Sequence, residues 1–225
     1  MSRRCILGST VLWVAAVILT VLTAMHQRKT GPTYPISGTY TIANDEYNFS
    51  LSRSQGGKDD QEVRIQAPEG ASGYIRWWYY PTDWPEEDPI KMEWDNGFLV
   101  GNLPHQPPAG KLKYGVVISY GEETVNLPAD DQWAITRFKG SVPAWVLIPH
   151  IIMMFAGMLT SNRAGFEIVF GKKDPKILSA VTLALLFAGG GILGCIVQYY
   201  AFGQPWTGFP VGHDLTDNKL ALAVI

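Results

Sequence analysis

Four histidines, six methionines and two cysteines are the side chains of this 225-residue chain best suited to hold a metal or a prosthetic group. His150 stands alone among them as an ionisable group inside an apolar run, Pro143 to Thr160. Met153 and Met154 follow it by three and four residues, so a helix places all three on one face. His213 and Asp214 are neighbours in a later polar stretch. Imidazole and thioether together suit copper, and two imidazoles suit a haem iron. His150, Met153, Met154, His213 and Asp214 are therefore a candidate metal set, and His150 with His213 a candidate haem pair. The spacing argues against both: the chain has no CxxCH and no HxxxH. A neutral histidine near a helix end ordinarily bonds a neighbouring backbone, and methionine beside isoleucine and phenylalanine ordinarily fills space. The expectation is no cofactor, with haem or copper as the alternative.

Other chemistry is sparse. There is no HExxH, no nucleophile elbow, no catalytic carboxylate pair and no glycine-rich nucleotide loop, so no catalytic residue is assigned. The stretch GKKDPK lacks the spaced glycines of a phosphate loop and reads as a basic loop that sets topology. Asp214 and Asp217 are spaced i, i+3, which a helix cap explains. Gly190 and Gly194 stand in GxxxG spacing, a small-residue face for close packing of a second helix. Trp78, Tyr80 and Trp84 lie in an aromatic, charge-rimmed stretch that could contact a partner or rest at a bilayer boundary. Asn48-Phe49-Ser50 is a glycosylation sequon.

Two different materials must position these residues. Residues 5–25 and 143–203 are mostly apolar, whereas 27–141 is polar and rich in Trp, Tyr, Gly and Pro. Mean hydropathy is close to zero only because the two average out. The net charge of −2 gives no basic face for nucleic acid. Cys5 and Cys195 fall in separate apolar runs and are expected to be free.

Residues 1–26 read as an uncleaved transmembrane anchor, because the apolar run is longer than a signal-peptide core. Residues 27–141 read as a β-domain. GTYTIA, YNFSLSRS, EVRIQA, YIRWWYY, IKMEWD, FLVGNL, KLKYGVVISY, ETVNL and WAITRFK are short alternating runs between turn signals. Ile90, Met92 and Trp94 are expected on one face, as are Leu112, Tyr114, Val116, Ile118 and Tyr120. Asn96-Gly97 reads as a tight hairpin turn. The run Met92-x4-GFLVGNLPHQPPAGKLKYGVVIS resembles the second half of an immunoglobulin- or fibronectin III-like domain. That resemblance covers roughly residues 37–139. It implies an antiparallel sandwich, with YIRWWYY as the central strand and Tyr114 at a tyrosine corner. It implies no function.

Residues 142–225 read as a helical membrane region, with spans at about 143–160 and 177–203 and the start of a truncated fourth at about 217–225. The loop 161–176 carries Arg163, Lys172, Lys173 and Lys176, which places it in the cytoplasm. The N-terminus is then cytoplasmic and the β-domain extracytoplasmic, in a multi-pass protein of the plasma (inner) membrane. The expected partners are the bilayer and another membrane or extracytoplasmic protein. The expected role is a non-enzymatic accessory or scaffold subunit, against the alternative of a redox or metal-handling protein using His150 and His213.

Overall fold

The computed structural model describes residues 3–81, 85–129, 132–170, 174–212 and 215–224, with the backbone alone for 3–8 and 224. The chain forms two compact units, Thr30–Ser141 and Met1–Lys29 with Val142–Ile225.

Among the described residues the first unit has ten strands: β1 Ile36–Ile42, β2 Asp45–Leu51, β3 Ser54–Gly56, β4 Gln61–Gln66, β5 Ser72–Tyr80, β6 Ile90–Asp95, β7 Phe98–Leu103, β8 Lys111–Tyr120, β9 Glu123–Leu127 and β10 Ala134–Lys139. β1 and β2 pair as a hairpin, and the remainder run in the order β3-β10-β8-β5-β6-β7-β4, with β9 also on β8. β3 and β10 pair in parallel, the other described pairs being antiparallel. β6 divides its hydrogen bonds: Ile90 to Met92 face β5, and Glu93 to Asp95 face β7. The sheet folds over at this strand. A Cβ on Gly101 of β7 would stand 2.9 Å from Ile75 Cδ1 of β5, so the two parts meet face to face.

Strict alternation puts one side of each strand in the shared core. Val63, Ile65 and Ala67 are buried there, with Ile75, Leu99, Leu112, Tyr114, Val116, Ile118 and Phe138. Positive φ at Asn96 and Gly97 closes the β6–β7 hairpin.

Three expectations for this unit need correction. Trp94 does not join Ile90 and Met92: it is 42% exposed, because β6 leaves the core where it changes partner. Tyr120 is 38% exposed, since β8 there outruns the core in a hairpin with β9. Tyr114 does not bond its local chain as a tyrosine corner does. Its hydroxyl donates to the Ser52 carbonyl at 2.7 Å, across 62 residues of sequence.

That bond belongs to a buried polar network. Gln61 Nε2 donates to the Ser52 carbonyl at 3.2 Å and to Tyr114 Oη at 3.3 Å, and Thr136 Oγ1 donates to Gln61 Oε1 at 2.5 Å. Burial pushes the Tyr114 phenol well above its ordinary range. Nearer the surface, burial first and then Tyr47 raise Tyr40 to about 12, and its hydroxyl donates to the Gln66 carbonyl at 2.6 Å.

The second unit is helical: α1 Arg3–Thr30, α2 Ala144–Phe170, α3 Lys176–Phe202 and α4 Leu215–Val224. Among the described residues three helices are long and apolar enough to cross a membrane: Ser9–Thr30 of α1, and all of α2 and α3. α3 stops at Gly203, whose φ of 78° forms a left-handed cap with its N–H on the Tyr199 carbonyl.

The helix expected to end at Thr160 continues to Phe170, so most of the expected basic loop is helix. Within this continuation Arg163 and Glu167, one turn apart, pair at 2.5 Å and neutralise each other, and Phe166, Ile168, Val169 and Phe170 keep it apolar. His150 is consequently not the lone ionisable residue of the apolar spans. The centre of α3, Phe187–Gly194, is π-helical within the span expected at about 177–203. Glycines tolerate such a wide turn because no side chain opposes the close approach of α2. α4 begins at Leu215, ahead of the expected 217.

Candidate functional site

The β-domain carries its most distinctive chemistry on the outer face of β5, β8 and β10. Alternation turns Tyr74, Arg76, Trp78 and Tyr80 of β5 away from the core. The register sets them opposite Val117, Gly115, Lys113 and Lys111 of β8, in that order. Trp133, just before β10, reaches over the same surface. Its ring meets that of Trp78 edge-on, with centroids 4.4 Å apart. Lys113 Nζ lies 5.2 Å from the Trp78 ring and 5.1 Å from the Trp133 ring. The Arg76 guanidinium sits 5.4 and 5.2 Å from the same rings, and Lys111 Nζ lies 5.7 Å from Tyr80. Cation–π contacts contribute ~0.5–1 kcal/mol each at exposed sites.

Gly115 makes this arrangement possible. A Cβ there would stand 2.9 Å from Trp133 Cζ3 and 3.0 Å from the Leu127 carbonyl oxygen. Beside it opens a cleft of about 190 Å³ between Arg76, Asn126, Gln132 and the Trp133 ring. Arg76 is held by Glu86 in a two-point ion pair, Nε to Oε1 at 2.6 Å and Nη2 to Oε2 at 2.7 Å. The hydrogen bond from Arg76 keeps the Glu86 carboxyl below its ordinary range.

Trp78 and Tyr80 thus both lie on this face, Trp78 half-buried and Tyr80 exposed. Trp84 lies outside the described residues. Trp133, Arg76, Lys111 and Lys113 were not singled out from sequence. The signal for them was Gly115 in the middle of a strand, which marks close approach of another group.

The helical unit collects polar groups at three levels. His150 Nδ1 donates to the Gly189 carbonyl at 2.8 Å, inside the π-helical turn. A Cβ on Gly189 would stand 2.7 Å from Met153 Cβ, and one on Gly194 would stand 3.5 Å from His150 Cε1. Gly190 instead faces Leu220 of α4. Gly190 and Gly194 therefore meet different helices of this chain. Met154 is half-buried on α2. His213 and Asp214 lie outside the described residues. Among the described residues, no group of three or more His, Cys, Asp or Glu is arranged to hold a metal ion. Cys195 is a free thiol.

At a second level, Asp217 Oδ2 accepts from the Thr207 N–H at 2.7 Å and from Gln198 Nε2 at 3.0 Å. These bonds tie the loop after α3 to the first turn of α4, where a carboxylate also suits the helix dipole. At the third, Arg163 and Glu167 are 3% and 6% exposed, with the Arg163 guanidinium 5.5 Å from the Trp13 ring. Asn162 Nδ2 beside them donates to Thr20 Oγ1 at 3.0 Å, joining α2 to α1. The i, i+4 spacing of the pair is visible in the sequence, within the stretch expected to be a basic loop.

No family model matches the chain, and neither a curated protein nor a solved structure matches it either.

Proposed function

We propose that this is a multi-pass, non-enzymatic accessory protein of the plasma (inner) membrane that presents its β-domain to a partner protein. α1, α2 and α3 cross the bilayer in this reading, with the N-terminus in the cytoplasm and Thr30–Ser141 outside. The observation that carries it is the outer face of β5, β8 and β10. Trp78, Trp133, Tyr80 and Arg76, turned outward on a sheet face, are of the residue types enriched at protein interface centres, and Lys111 and Lys113 add charge beside them. The immunoglobulin-like reading of the sandwich draws support from the strand order β3-β10-β8-β5-β6 with β7 and β4 folded over, and from the parallel β3–β10 pair. The absence of a local tyrosine corner counts against a close match.

The test has two arms. An epitope placed in the Asn96-Gly97 turn should be cut by protease added to sealed cells, and protection until lysis would reverse the topology. A photo-crosslinker at Tyr80 should capture one protein in living cells that the same group at Thr124, on β9, does not. Equal capture at both positions would remove the partner-contact reading.

A further inference from the structure

β8 sets the charge of this outer face. Lys111, Lys113 and Gly115 occupy successive outward positions of one strand. Two residues of extended chain span ~6.8 Å, so the backbone positions of Lys111, Lys113 and Gly115 follow one another at that interval on one face. Among the described residues neither Lys111 nor Lys113 has a carboxylate partner within ion-pair distance. Each is instead poised over a ring, Tyr80 for Lys111 and the Trp78–Trp133 pair for Lys113. A lysine head held over an aromatic face has lost part of its rotamer freedom before any ligand arrives. Arg76 does not add a third free charge, because Glu86 neutralises it and anchors it beside the cleft.

We infer that this face binds an extended peptide segment of the partner with carboxylate side chains at alternate positions. The two carboxylates sit on Lys111 and Lys113, and the next outward side chain enters the cleft between Trp133, Gln132 and Asn126. The cleft, about 190 Å³, is large enough to take one side chain. The inference rests on the partner-contact reading above. A lipid surface fits less well. The tryptophans lie edge-on to one another with cations over them, whereas side chains that enter a bilayer present an uncovered apolar face.

The test uses the full-length chain in nanodiscs of neutral phosphatidylcholine. The probe is a fluorescein-labelled heptapeptide with glutamate at positions two and four, leucine at position six and serine elsewhere. Saturable binding is expected by anisotropy, with a salt-sensitive affinity. Replacing both glutamates by glutamine, or the protein change K111A/K113A, should weaken binding by about tenfold or more. K111R/K113R should retain it, which separates loss of charge from loss of fold. Moving the two glutamates to adjacent positions should weaken binding as well. Binding that ignores the lysines or the glutamate spacing would overturn the inference. So would a protein that ignores the peptide but binds phosphatidylglycerol vesicles or polygalacturonate through Lys111 and Lys113. If Tyr80 captures a partner in cells while the peptide fails, the ligand chemistry is wrong and the accessory role stands. If the peptide binds as expected and no partner is captured, the surface chemistry stands and the accessory role falls.

Discussion

The two units bury polar groups in opposite ways. The β-domain hides an uncharged network in which Gln61, Thr136, Tyr114 and the Ser52 carbonyl satisfy one another across three strands and a loop. The helical unit hides a full ion pair, Arg163 and Glu167, on adjacent turns of one helix. Long-range hydrogen bonds between neutral groups specify how strands assemble, and each group costs less to desolvate than a charge. A buried ion pair is costly to desolvate and contributes little net stability, yet removing one partner leaves a bare charge. Polar contacts therefore have different consequences when broken in the two units.

The largest contrast should come from the ion pair. Glu167→Leu alone should destabilise the helical unit by ~3–5 kcal/mol, whereas R163M/E167L together should be close to neutral. Thermal unfolding in detergent, followed by α-helical circular dichroism, separates these outcomes. Equal losses in the single and double variants would show that the pair itself holds the helices together.

Overpacking comes next. Gly189→Ala should cost ~1–3 kcal/mol, because the new methyl meets Met153 Cβ, which cannot swing away. Gly190→Ala should cost less, since the atom it meets is the mobile end of Leu220. The same unfolding assay orders them, and a reversed order would contradict these helix contacts.

In the β-domain, Thr136→Val should cost ~1–3 kcal/mol by leaving the buried Gln61 Oε1 without a donor. Adding Gln61→Leu should recover part of that loss. Urea unfolding read by tryptophan fluorescence measures both, and strictly additive losses would mean the two side chains do not communicate.

The smallest effect is a pH dependence on the outer face. Arg76 lowers the pKa of Glu86, so the pair contributes stability above the unfolded carboxyl value of ~4.3. That contribution is lost as pH falls through the lower folded value. Acid titration of tryptophan fluorescence should show a transition below about pH 4 that Glu86→Gln removes. Both side chains are about one-third exposed, so the energetic change is slight.

Much of this architecture was legible in the residues. Alternation in EVRIQA and KLKYGVVIS marked strands, and Asn96-Gly97 marked a turn, because period and φ preference are local properties. What was not legible depended on partners distant in sequence. Trp94 obeys the alternation of its strand but leaves the core because β6 changes neighbours. Arg163 and Glu167 resembled loop residues because neutralisation inside a helix cannot be seen in a hydropathy profile. Trp78 and Tyr80 were picked out as aromatic, but Trp133 and Lys113 join them only through strand register and the missing side chain of Gly115.

The Gln61 amide has a consequence for inheritance. It serves three neighbours drawn from separate stretches of the chain, so no single base change can retire it without penalty. In lineages descended from this molecule, positions 61, 114 and 136 should drift as a block, and an apolar residue at 61 should arrive accompanied by the loss of the hydroxyl at 136.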